Sequence, residues 1–227
     1  MAETSTQISS VIASLGYPQG VVTGAIPAVE DTPEYAEAMR RQALSRLRKA
    51  GLRGAYLDAD SPEGRVCYER FRRGMGSYLW GKPGRGKTYA ASCCVRLAVE
   101  DGHRCRLTTA KALLDAVKAE WDGGERDVLK KAERYELLVL DDLGMERATE
   151  WAMETISGLI DSRVADGLPT IFTSNYRLGQ LRELWGGVNG ARLVSRIGGA
   201  CDPVEMEGPD RRLERFRKGV PNEGQRG

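Results

Sequence analysis

The run Gly81-Lys82-Pro83-Gly84-Arg85-Gly86-Lys87-Thr88 meets every fixed position of the pattern G-x-x-x-x-G-K-[ST], and it constrains the fold of this chain more than any other stretch. A loop of this kind must join a strand to a helix. Its glycines let the backbone turn and bring N–H groups onto phosphate oxygens, and the helix that follows offers its positive N-terminal end. Lys87 is expected to reach the β- and γ-phosphates of ATP, and the Thr88 hydroxyl to ligate Mg²⁺. Gly81, Gly84, Arg85, Gly86, Lys87, Thr88 and the adjoining Tyr89 are therefore the candidate nucleotide-binding residues. The flanks agree: Met75 to Trp80 predicts a strand, and Tyr89 to Glu100 an apolar helix with Ala90, Cys94, Leu97 and Ala98 near one face.

A second motif lies downstream. Leu137-Leu138-Val139-Leu140 suits a parallel strand buried on both faces, and Asp141 and Asp142 emerge at its carboxyl end, where ligands sit in open α/β sheets. Two acids before Gly144 would by themselves read equally well as a strand-ending turn. With a P-loop upstream they read as a Walker B, Asp141 holding the Mg²⁺ shell and Asp142 orienting or deprotonating the water that attacks the γ-phosphate. Pro169 to Asn175 is a further apolar strand ending in polar residues, which makes Asn175 a candidate for orienting the same water.

With 227 residues and 41% hydrophobic content, the chain is long enough for one good-sized core and an appendage. No apolar run approaches a membrane span, and Met1 to Thr6 lacks the layout of a signal peptide, so a cytoplasmic protein is expected. Five cysteines without a C-x-x-C pair, and a single histidine, His103, read as buried free thiols. A net charge of +2 decides nothing about nucleic acid, because binding can run through a local stripe.

Residues 1 to 31 read as a flexible or partner-dependent arm, with Ile8, Val11, Ile12 and Leu15 enough for a short helix. Thr32-Pro33-Glu34 starts a helix that Gly51 stops, and its Arg40, Arg41, Arg46, Arg48 and Lys49 read as a solvated face. After a linker, helix Glu63 to Arg73 leads into the core. Arg104 to Thr109 predicts a strand, Ala110 to Trp121 a helix with Leu113, Leu114, Val117 and Trp121 inward, and Asp127 to Arg134 a short helix. Thr149 to Asp166 predicts a helix with Trp151, Ile156, Leu159, Ile160 and Val164 inward. Helices around Leu178 to Trp185 and Gly190 to Ile197 precede a strand near Asp202 to Glu207. Arg192, Arg196 and Arg212 stand out in this part, though each fits an ordinary surface arginine.

Together these motifs resemble the AAA+ ATPases, specifically the DnaC/IstB-like group of bacterial replicative helicase loaders and transposition helpers. The likeness spans residues 50 to 215, carried by Gly81 to Thr88, Leu137 to Gly144, Gly167 to Asn175, Arg192 to Ile197 and Gly208 to Arg212. It implies an α/β P-loop fold, a five-stranded parallel sheet sandwiched by helices, without a full C-terminal helical lid. It also implies a partner-binding arm and helix at 1–50, an ATPase domain at 51–216 and a tail at 217–227. By resemblance Asn175 is the sensor 1 residue, Arg196 an arginine finger reaching a neighbouring subunit's ATP, and Arg212 the sensor 2 arginine, with Arg211 as the alternative. The implied activity is assembly-dependent ATP hydrolysis in a ring or spiral bound to single-stranded DNA with weak sequence preference, placing a replicative DNA helicase. Lys111 and Lys118, sharing the outer side of their helix, are the candidate DNA surface, with no aromatic stacking platform expected beside them. The chain departs from the group at Arg85, where a small polar residue is more usual, and in the shortness of its N-terminal region. Two other functions fit the same motifs: an IstB-like helper that loads a transposase, and a nucleotide-gated scaffold without required turnover. A small-molecule kinase fits less well, since no acceptor site is recognisable.

Overall fold

The computed structural model describes residues 32–144 and 149–211. The arm before residue 32, the tail after 211 and Arg212 lie outside the described residues. The chain divides into two units between Arg41 and Gln42, inside helix α1 (Pro33–Lys49), and the architecture below is that of the second.

Its elements run α2 (Pro62–Arg72), β1 (Gly76–Trp80), α3 (Lys87–Glu100), β2 (Cys105–Thr109), α4 (Ala110–Ala119), α5 (Val128–Arg134), β3 (Leu137–Leu143), α6 (Glu150–Ala165), β4 (Thr170–Ser174), α7 (Leu178–Trp185), α8 (Gly187–Ala200) and β5 (Cys201–Glu205). All strand pairs are parallel, in the order β2-β3-β4-β1-β5. Because β1 lies inside the sheet while its successor β2 lies at the edge, the carboxyl ends of β1, β4 and β3 adjoin where the strand order reverses. Open α/β sheets bind ligands at that crevice.

Strand alternation divides the core in two. Leu137 and Val139, with Leu79 and Ile171, pack on one face against Cys67, Phe71, Ala90, Ala91 and Cys94. Leu138 and Leu140, with Tyr78 and Phe172, pack on the other against Leu113, Leu159, Ile160, Leu181 and Ile197. Each fully buried leucine contributes about 1.5–3 kcal/mol. The helices on each face start where the sequence supplies caps: the Ser61 hydroxyl accepts from Gly64 N–H at 3.0 Å, Thr109 from Ala112 at 3.0 Å and Thr149 from Ala152 at 3.2 Å. All five cysteines are free and buried, as the sequence suggests, and burial pushes the thiols of Cys105 and Cys201 up to about 12.

Two inward positions differ from expectation. Trp121 is 74% exposed, because α4 ends at Ala119 and the tighter turn Glu120–Asp122 rotates the ring off the inner face. Val164 is also exposed, and Arg163 takes the inner position instead, with 1% of its surface accessible. Its Nε donates to Thr170 Oγ1 at 2.9 Å, Nη1 to the carbonyls of Ala132 and Tyr135 at 2.9 and 2.7 Å, and Nη2 to that of Pro169 at 2.7 Å. Burial lowers its pKa to about 10, so it is protonated at neutral pH. Arg163 thereby closes the carbonyls at the end of α5 and ties them to the start of β4.

Candidate nucleotide-binding site

The P-loop connects β1 to α3 and needs its glycines. Gly81, Gly84 and Gly86 take φ of 147°, 80° and 86°, a region costly for residues with a Cβ. Gly81 N–H is held by Ser174 O at 3.2 Å, which fixes the loop to the end of β4. Arg85, at the loop's crest, is half-buried.

Lys87, only 6% exposed, folds back over the loop. Its Nζ donates to Gly81 O at 2.7 Å, Lys82 O at 3.0 Å and Asn175 Oδ1 at 2.8 Å. The structure thus brings the residue at the end of β4 onto the P-loop lysine. Thr88 Oγ1 lies 3.0 and 3.1 Å from the two oxygens of Asp141, so the P-loop hydroxyl and the β3 carboxylate also meet. Two oxygen donors so placed suit a hard cation such as Mg²⁺.

Asp141 and Asp142 behave differently. Leu140 pairs with Phe172 and Leu143 with Ser174, so three steps on β3 oppose two on β4, and the surplus residue makes a bulge. Asp142 absorbs it with φ 56° and is exposed, while Asp141 is 5% exposed. Thr173 clamps the bulge: its hydroxyl donates to Asp141 Oδ1 at 2.5 Å and accepts from Asp142 N–H at 3.0 Å. Burial raises the Asp141 carboxyl above the ordinary range and the charge of Asp142 adds to this, against the hydroxyls of Thr173 and Thr88 and the charge of Lys87. The sequence showed Thr173 only as part of a polar strand end; its part in shaping the bulge depends on the register of β3 against β4.

Each remaining candidate has its own surroundings. Tyr89 accepts from Asp60 N–H at 3.2 Å, and its ring lies 6.4 Å from that of Tyr56. Arg196, on α8, is ion-paired with Asp161 of α6. Arg192, one turn earlier on α8, is exposed. Arg212 lies outside the described residues, whereas Arg211 places its guanidinium beside Gly86 and pairs with Glu63 at 3.3 Å. Lys111 pairs with Asp115 at 2.5 Å on the outer side of α4. Lys118 sits 4.7 Å from the centre of the Trp151 ring, and Trp121 meets Trp151 edge-on at 6.0 Å. Two tryptophans therefore lie beside Lys118, where the reading from sequence had turned Trp121 inward. Among the described residues no group of three or more His, Cys, Asp and Glu side chains could hold a metal, and no helix is long and apolar enough to cross a membrane.

A glycine loop after a central parallel strand, a bulged acidic strand end beside it and an asparagine on the P-loop lysine define a P-loop nucleotide-binding domain of AAA+ type. The model of one family, described as IstB-like ATP binding protein, matches residues 73–219, and the chain belongs to that family. The replicative helicase loader DnaI of Bacillus subtilis (strain 168) is 27% identical over 64% of this chain and 50% of its own, so the chain spans half the length of that relative. The crystal structure of DnaI is similar with a TM-score of 0.59 at 26% identity, over 75% of this chain and 93% of that one. A crystal structure of the DnaC helicase loader gives 0.58 at 26% identity, over 68% and 100%.

Proposed function

We propose that the chain is an ATP hydrolase of the helicase-loader kind, coupling ATP binding and turnover to the placement of a replicative DNA helicase on single-stranded DNA. The observation that carries the reading is the convergence of Lys87, Asn175, Thr88 and Asp141 from three adjoining strand ends. A scaffold that merely held nucleotide would have no use for a second carboxylate at Asp142 or for the Lys87–Asn175 contact. Thr88 and Asp141 would hold Mg²⁺, which when bound offsets charge on the phosphates. Lys87 is released from the loop carbonyls to the β- and γ-phosphates, and Asn175, already turned towards it, orients the attacking water. Asp142, exposed on its bulge, takes the proton from that water. Arg196 leaves Asp161 to neutralise the transferring phosphoryl group of a neighbouring subunit, which makes turnover depend on assembly into a ring or spiral.

Single-stranded DNA is assigned to the Lys118, Trp151 and Trp121 cluster, where an exposed aromatic edge and a cation lie together. Residues 1–50 are the partner-binding region, 51–216 the ATPase domain and 217–227 the tail. The relatives named as replicative helicase loaders support the helicase as partner. The description of the family as IstB-like favours a second reading, a helper that loads a transposase. Pull-down by the full chain of purified helicase against purified transposase separates the two, and capture of transposase alone removes the loader reading. ATP turnover with single-stranded DNA at high protein concentration, for wild type and Asp142→Asn, tests the enzyme. Turnover should be present in wild type and lost in the variant; none in either under assembling conditions contradicts it.

A further inference from the structure

The bulge in β3 is held by side chains of β4 rather than by the strand ladder. Between the pairs Leu140–Phe172 and Leu143–Ser174 the register shifts, so the backbone between them leaves the regular pattern. Buried backbone groups off the ladder need other partners, and two fully buried hydroxyls of β4 supply them. Thr173 Oγ1 donates its one proton to Asp141 Oδ1 at 2.5 Å and accepts from Asp142 N–H at 3.0 Å. Ser174 Oγ donates to Leu143 O at 2.7 Å and is itself steadied by Tyr176 N–H at 3.1 Å. The two bonds to the β3 backbone thus flank Asp142, one at its own N–H and one at the carbonyl of the next residue. Asp142 sits at φ 56°, a conformation that a residue with a Cβ keeps only where its surroundings impose it. Its carboxylate is exposed, and among the described residues no hydrogen bond or ion pair holds it. The direction of that carboxylate is therefore set by the backbone, and the backbone by the two hydroxyls.

We propose that Thr173 is a positioning residue for ATP hydrolysis, seconded by Ser174: the two hydroxyls fix the bulge that aims the Asp142 carboxylate. This rests on the reading of Asp142 as the group that takes the proton from the attacking water. A base must lie within hydrogen-bond reach of the proton it removes, and small misplacements cost rate steeply. One hydroxyl touches Asp141 at its carboxylate and Asp142 at its backbone, so it keeps the two acids at a fixed offset. Nucleotide affinity does not depend on it. Ser174 meets the P-loop through its carbonyl, which accepts from Gly81 N–H at 3.2 Å, and that bond survives loss of either hydroxyl. Asp141 likewise keeps Thr88 Oγ1 at 3.0 Å when Thr173 loses its own.

ATP turnover of the full chain with single-stranded DNA at high protein concentration, expressed per site that binds a fluorescent ATP analogue, tests this. Thr173→Val, which keeps the shape and removes the hydroxyl, should lower kcat by about tenfold to a hundredfold, with the analogue bound within about threefold of wild type. Thr173→Ser, which restores the hydroxyl, should recover most of the turnover. Ser174→Ala should lower kcat by about fivefold, and it carries the test if the valine variant does not fold. Wild-type kcat in Thr173→Val, or in Ser174→Ala where that variant must stand in, overturns the positioning role and leaves Asp142 standing as the base if Asp142→Asn is inactive. A loss in Thr173→Val that appears equally in analogue affinity, or that serine does not restore, overturns it too. If wild type shows no turnover, or Asp142→Asn matches it, the reading of Asp142 fails and the role of Thr173 with it.

Discussion

Strand β4 has a buried cation at each end, and the two are held in opposite ways. At its start, Arg163 spends its guanidinium on Thr170 and on carbonyls of the chain near Ala132, Tyr135 and Pro169, all fixed by the fold. At its finish, Lys87 rests on two carbonyls of a glycine loop and on the amide oxygen of Asn175. The first arrangement satisfies the end of a helix permanently. The second can be exchanged, since a phosphate oxygen can take the place of any of those acceptors. One end of the sheet is thus built for stability and the other for a ligand.

The sharpest way to break this contrast is to remove both cations in turn. Arg163→Ala strands several buried carbonyls and should lower stability by about 3 kcal/mol or more, read by denaturant unfolding. Lys87→Ala should leave the unfolding midpoint nearly unchanged yet weaken ATP by about a hundredfold, or ~2.7 kcal/mol. A Lys87 variant that unfolds as readily as the Arg163 variant would erase the distinction. Trp121→Ala should cost single-stranded DNA binding about 1–2 kcal/mol with no loss of stability, because the ring is exposed. Unchanged DNA affinity in a binding titration would remove the Trp121–Trp151 pair from the account.

The smallest effect expected is a gain. Asp141 has a raised pKa in the fold, so its ionised form is less favoured there than in the unfolded chain. The folded state holds its proton to higher pH, and stability therefore falls as pH rises from the unfolded pKa through the folded one. Asp141→Asn removes that penalty and should stabilise the nucleotide-free protein by about 1 kcal/mol at neutral pH, with a flatter stability profile through the acidic range. A loss of stability on this substitution would show that Asp141 is held mainly by Thr173 and Thr88 rather than strained by burial.

The ligand end was more legible from sequence than the stabilising end, because a motif states chemistry while a packing role depends on register. Gly81 to Thr88, Asp141 and Asn175 could be placed by their position after apolar strands, and the structure brings them together. The helix spacing Ile156, Leu159, Ile160 points to residue 163 as the next inner position. Val164, four residues after Ile160, fits that spacing equally well, and Arg163 takes the inner position because carbonyls from α5 and from the residue before β4 converge there. The bulge at Asp142 had no sequence signal of its own, since it arises from one surplus residue in β3 against β4. Trp121 was misplaced because a change from α to a tighter turn at Glu120 moves a side chain to another face, and no Gly or Pro marks the change. Gly208 to Arg212 stood out in sequence only through the resemblance, because the passage of β5 alongside β1 is what carries this segment to the P-loop.

The most direct test of an exchangeable cation site completed by a neighbour is a mixing experiment. Arg196→Ala keeps its own P-loop, and Lys87→Ala keeps its own Arg196; each alone should turn over little ATP in the presence of single-stranded DNA. Mixed at high concentration, they should regain a substantial part of wild-type turnover if, as proposed, Arg196 of one subunit completes the loop of the next. A mixture as inactive as its components, alongside wild-type turnover per subunit that does not change with protein concentration, would contradict the account.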